Sequence, residues 1–131
     1  MGEAVLVEGQ IADAIALVQK LDARGDAPTL AAWYLYDDAN EWRLLIAGPI
    51  FDAALQRQEP IAYQKIVEAL IEAKPTSLAI SDIKLIGSRA ALPSAIRMMI
   101  GTDPNGIARA HCSANTINGI FIKEMIVIRS A

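Results

Sequence analysis

Apolar positions along this chain follow two periods. Ile11, Ala14, Ile15, Val18 and Leu21 recur at the three-and-four spacing of a helix, and Gly25 stops the run. The spacing predicts an amphipathic helix over about 10–24. A second helix is expected over 61–73. Pro60 suits its first turn, Pro75 closes it, and Ile66, Val67, Leu70 and Ile71 turn inward while Lys65, Glu68 and Glu72 face out. Pro93 opens a shorter helix that runs to about residue 100.

The other period is two. Residues 30–36 and 41–47 read as a β-hairpin around Asp37-Asp38-Ala39-Asn40. With Tyr36 opposite Glu41, one face gathers Ala31, Trp33, Leu35, Trp42, Leu44 and Ile46, which must be core. The opposite face carries Tyr34, Tyr36, Glu41, Arg43 and Leu45. Gly48-Pro49 ends the second strand. The stretch 80–86 fits either a short strand or an extended loop. Gly101 to Gly106 is a loop.

The sharpest local signal is Asn118-Gly119. Both residues tolerate positive φ, as a two-residue type I′ turn requires. That turn sets a register for 107–117 against 120–129. Ile117 faces Ile120, Asn115 faces Ile122, Ser113 faces Glu124, His111 faces Ile126 and Arg109 faces Ile128. One face then holds Arg109, His111, Ser113, Asn115 and Glu124. The other holds Ala108, Ala110, Cys112, Phe121, Met125 and Val127, with Lys123. Apolar groups on both faces imply that helices, or a second subunit, cover both sides. The predicted class is α+β: one domain over 1–131, with a mixed or antiparallel sheet from two hairpins, two main helices and one short one.

Composition narrows the functional classes. The chain has 131 residues, of which 53% are apolar and 21% charged. A chain of this length buries roughly two-thirds of its unfolded surface and folds without disulfide or metal. The apolar share is high, which points to a very aliphatic core or to surface covered by another chain, most simply a copy of itself. A net charge of −3 argues against charge-driven nucleic-acid binding. No apolar run nears the roughly 20 residues of a membrane span. The start, Met1 to Glu8, lacks the basic region of a signal peptide. With Cys112 as the single cysteine, a reducing, cytoplasmic setting is expected.

Chemistry-bearing residues form two groups. Arg109, His111, Ser113 and Glu124 share a predicted face, where Glu124 would lie diagonal to His111 and fix its tautomer. The plainer account is a self-satisfied polar patch at a sheet rim. Tyr34, Tyr36, Glu41 and Arg43 form a second group, with Arg43 able to stack on Tyr34 or pair with Glu41. Here the plainer account is an amphipathic sheet surface. If the hairpins join one sheet, the two faces could merge into one site. His111 and Cys112 are adjacent, but neighbours on a strand point to opposite faces, so a nucleophile–base pair is not expected. No His or Cys spacing suits a metal, no phosphate-loop motif is present, and no cofactor is implied. Glu41-Trp42-Arg43 puts arginine where a metal-dependent nuclease of the restriction type has lysine.

Three stretches carry a resemblance: Trp33-Tyr34-Leu35-Tyr36; Glu41-Trp42-Arg43 running on to Phe51-Asp52 and Tyr63; and Ile117 to Glu124 with an Ile128-Arg129 ending. The pattern resembles a family of small bacterial proteins of unassigned function, with a Glu-Trp-Arg strand and a C-terminal Asn-Gly hairpin. The resemblance spans most of 30–129 and implies no activity. The leading expectation is a non-catalytic accessory or interaction domain that self-associates or binds a protein partner. One alternative is a small enzyme or ligand binder using the His111 face. Another is a weak single-stranded nucleic-acid binder using Tyr34, Tyr36 and Arg43.

Overall fold

The Asn118-Gly119 turn forms as its residues dictate, with φ of 51° and 80°. In the computed structural model it joins two strands, β4 (Ala110–Ile117) and β5 (Ile120–Ser130), paired from Ile117↔Ile120 through Ser113↔Glu124 to His111↔Ile126. The N-terminal hairpin pairs β1 (Leu30–Tyr36) with β2 (Glu41–Ala47), Tyr36 opposite Glu41, and Asn40 takes the left-handed conformation in the turn. The structure describes Leu6, residues 8–36 and residues 38–131. The N-terminal run read above, Met1 to Ala4 with Val5 and Val7, lies outside the described residues, as does Asp37 of the turn.

One mixed five-stranded sheet results, in the order β3-β2-β1-β5-β4. The short β3 (Ile83–Leu85) runs parallel to β2, which settles the ambiguous stretch near residue 80 as a 3-10 turn, Ile80–Asp82, leading into a strand. Helices α1 (Glu8–Ala23), α2 (Pro49–Gln56) and α3 (Ile61–Ala73) cover one face. There Leu17, Leu21, Trp33, Leu44, Phe51 and Ile66 are buried together. Helix α4 (Ala91–Met99) lies on the other, where Ile96 meets Ala32, Leu45, Met125 and Val127. Both faces of the inner half of the C-terminal hairpin are thus covered. No described helix is long and apolar enough to cross a membrane.

Helix α2 was not expected. Gly48-Pro49 ends β2 as read, but Pro49 then occupies the first helical turn, where its fixed φ suits the helix and its missing N–H costs nothing. Phe51 anchors this helix in the core. Helix α3 is rotated from the expected setting. Ile66 and Leu70 point inward, but Ile71 is 69% exposed. Ala62, Ile66, Ala69 and Leu70 form the buried face that sets the helix's roll, and Glu68 and Glu72 then pair with Arg24 of α1. Asp13 of α1 further fixes the chain after α3, its carboxylate accepting the amides of Thr76, Ser77 and Leu78.

Two irregularities decide where side chains point. Between Ala31 and Ala32 the β1–β5 register shifts, so Ala31 faces Arg129 while Ala32 faces Val127. The extra residue, Ile128, lets both Ile128 and Arg129 turn toward α1. Arg129 is fully buried. Its Nη1 and Nη2 donate to the two carboxylate oxygens of Asp22, each at 2.7 Å, and Nε donates to the Gly106 carbonyl at 3.0 Å. Nη1 also reaches the Pro28 carbonyl at 3.3 Å. The second irregularity is Ala114, with φ of 51°, which drops out of the β4–β5 ladder between Ser113 and Asn115.

Removing the carboxylate should strand a buried charge. Asp22→Asn is expected to cost about 3 kcal/mol or more, and more than Arg129→Met, in urea unfolding. Ala114→Gly should instead raise stability by roughly 0.5–1 kcal/mol, because glycine adopts the left-handed conformation without the Cβ clash. A lowered melting temperature for that variant would contradict the assignment.

Candidate functional site

Cross-strand geometry brings His111 and Glu124 together. Ser113 sits directly opposite Glu124, His111 is two residues earlier on the same strand, and the diagonal closes with His111 Nε2 2.8 Å from Glu124 Oε2. An ionised carboxylate only accepts, so Nε2 carries the shared proton and Nδ1 is left to other partners. The imidazole is thus oriented as a general base would be. It stands, however, on an open sheet face: the His111 side chain is 54% exposed. Ser113 is exposed beside it.

Arg109 does not join them. The ladder has slipped at that end, where Ala108 N–H donates to the Ile128 carbonyl, one residue out of the register that holds from Ala110 onward. Strand β4 begins only at Ala110, and Arg109 pairs with Glu8 at the start of α1. Asn115 has left this face as well. Left-handed Ala114 breaks the alternation, and the Asn115 amide donates to Cys112 Sγ at 3.2 Å on the α4 side. Ile122 follows the same switch and is buried with Met125. Phe121, expected beside Cys112, is 54% exposed. Cys112 itself is buried, with Sγ 3.7 Å from Met99 Sδ, and packs as a small hydrophobe.

The second group assembles as a cluster. Tyr34 and Tyr36 meet edge to face at 5.0 Å, Lys84 Nζ lies 5.0 Å from the Tyr36 ring centre, and Arg43 donates to Glu41 at 2.8 Å and to the Ser81 carbonyl at 3.2 Å. Tyr36, Glu41, Arg43 and Lys84 border a shallow depression of about 210 Å³. Tyr34 is nine-tenths buried, so its ring is not a free stacking platform.

The two groups do not merge. Trp33 faces Ile126 and Ile126 faces His111, which puts His111 and Glu124 on the three-helix side. Tyr34 faces Arg43 and Met125, on the α4 side. Strand order decided this, and the sequence carried no signal for it. Among the described residues, no three His, Cys, Asp or Glu side chains are grouped to hold a metal ion.

The strand carrying His111 is itself a feature of the site. β4 is the outermost strand, and of its eight residues only Cys112 is buried. In a two-residue hairpin the odd-numbered residues of β4 bond inward to β5, so the main-chain groups of Ala110, Cys112 and Thr116 point outward. Among the described residues, no backbone hydrogen bond reaches them from that side. The opposite edge differs. There β3 is three residues long, and the Leu85 amide donates to the Tyr63 hydroxyl at 3.1 Å.

No protein-family model matches this chain, and neither a curated protein nor a solved structure was found to be similar to it.

An exposed pair such as His111–Glu124 should contribute little to stability. A double-mutant cycle with His111→Ala and Glu124→Ala is expected to give a coupling below about 1 kcal/mol in denaturant titrations. A coupling several-fold larger would mean that the pair is desolvated by something bound over it.

Proposed function

We propose that the protein is a non-catalytic interaction domain that self-associates by pairing β4 with β4 of a second copy. The observation that carries this reading is the outer edge of β4, to which no backbone hydrogen bond is made from outside among the described residues. It holds no proline and no lysine, and of its eight residues only Cys112 is buried. Such an edge is a template for another strand. Two antiparallel copies satisfy the outward amides and carbonyls reciprocally about a two-fold axis. The strand carries no Asp, Glu, Lys or Arg, so two copies meet without a row of like charges. Ile107, just before this strand, and Phe121, opposite Thr116 on β5, are exposed and offer apolar area nearby.

The high apolar content fits this reading, as does the exposed outer half of the hairpin. An enzymatic reading needed the His111 and Tyr34 groups in one cleft, and they lie on opposite faces. A nucleic-acid reading needed open rings, and Tyr34 is packed.

Light scattering after size-exclusion at micromolar concentration is expected to give twice the monomer mass. Thr116→Pro removes an outward N–H without touching the bonds to β5 and should yield a folded monomer. Thr116→Lys, which places a charge on the edge, should do the same by a different route. Circular dichroism confirms that each variant is folded. A monomeric wild type, or folded variants that both remain dimeric, would overturn the reading.

A further inference from the structure

Arginine is seldom left without a partner in this chain. Arg24 holds Glu68 and Glu72, Arg43 holds Glu41, Arg57 faces Glu59, Arg109 holds Glu8 and Arg129 holds Asp22. Arg97 donates from both terminal nitrogens to the Ser88 carbonyl, at 3.4 and 3.3 Å. Arg89 is exposed and, alone of the arginines, has no partner among the described residues.

Arg89 lines a groove of about 560 Å³ between α2 and the segment from Gly87 to Ala90. That volume lies within the range of small-molecule sites, roughly 300–1,000 Å³. The groove sits just beyond the end of β3, where the chain enters α4. In parallel β-structure, ligands collect at the carboxyl ends of strands.

Its wall is held in place before any ligand arrives. Asp52 accepts the Ser88 amide at 3.0 Å and also accepts the Ser88 hydroxyl. Arg97 grips the carbonyl of the same residue from α4. Ser88 is therefore fixed from two helices, and the Arg89 backbone with it, while the Arg89 guanidinium stays free. Both Asp52 oxygens are already engaged with Ser88, so its carboxylate, although it lines the groove, is not aimed at a ligand, and Arg89 is the group there with N–H donors to spare. Gln56 adds an amide from the α2 wall. A guanidinium presents a planar fork of N–H donors that matches two oxygens of one oxyanion.

We propose that this groove binds a small molecule through an oxyanion, a carboxylate or a phosphate, held by Arg89. The site is separate from the β4 edge and does not depend on self-association.

The test uses the isotopically labelled full chain, titrated with inorganic phosphate and with acetate, each against sodium chloride at matched ionic strength. At least one oxyanion should give saturable amide shifts confined to Gly87–Leu92 and to α2. Saturation by phosphate alone assigns a phosphate-bearing ligand, by acetate alone a carboxylate, and by both the shared chemistry. Arg89→Gln should weaken binding at least tenfold, whereas Lys20→Gln, an equal change in charge on α1, should leave it unaltered. Arg89 is exposed, so its variant should keep the wild-type spectrum elsewhere. Shifts no different from those with chloride, shifts spread over the surface, or equal binding by Arg89→Gln would overturn the proposal.

Discussion

A guanidinium with no access to water is the severest requirement in this molecule. Arg129 must find acceptors for its N–H groups inside the protein, since each one left unmet costs on the order of 1–3 kcal/mol. It finds them on three separate segments: Asp22 near the end of α1, the Pro28 carbonyl before β1, and the Gly106 carbonyl before β4. None of these positions is fixed by local propensity. They are correct only when helix, loops and C-terminal strand are assembled together. The extra residue in β5 at Ile128 belongs to the same arrangement, because it turns Arg129 toward α1. Replacing such a pair by apolar groups is often tolerated, but half of it alone is not. The interaction therefore acts more as a criterion for correct assembly than as a source of net stability.

What the sequence reveals of this fold is what neighbours along the chain decide. Asn118-Gly119 names its own turn, and the turn sets which residues face each other, so the contact of His111 with Glu124 was legible. So was the pairing of Tyr36 with Glu41. The failures share a cause. Arg109 was placed by extending an ideal ladder past the point where the chain slips. Asn115 and Phe121 were placed by strict alternation, which Ala114 interrupts, and nothing about an alanine announces a left-handed conformation. Helix α2 was hidden because Pro49 reads equally as a stop and as a start. Helical period alone turns Ile71 inward, whereas the buried face of its helix runs through Ala62, Ile66, Ala69 and Leu70 and leaves Ile71 outside.

Sites assembled across long separations are the least legible. The two polar groups fall on opposite faces only because β1 and β5 lie side by side, a matter of strand order. The groove at Arg89 depends on Asp52 meeting Ser88, thirty-six positions on. In sequence, Asp52 is one acid in an apolar stretch and Arg89 one base in a loop. Only the fold shows that one shapes a wall and that the other has no partner among the described residues.

The two borders of the sheet are finished differently, and this bears on how many copies can join. At β3 a tyrosine hydroxyl occupies an amide that would otherwise face outward, and the strand is too short to offer much more. At β4 the border is longer, and among the described residues no backbone hydrogen bond reaches it from outside. A sheet with two bare borders could extend without limit, chain upon chain. If copies pair through β4 as proposed, a molecule whose other border is occupied has a single valence, and a two-fold union consumes it on both partners. On that proposal the Tyr63 hydroxyl would act as a terminator, favouring a closed pair over a growing end from which a fibre could propagate.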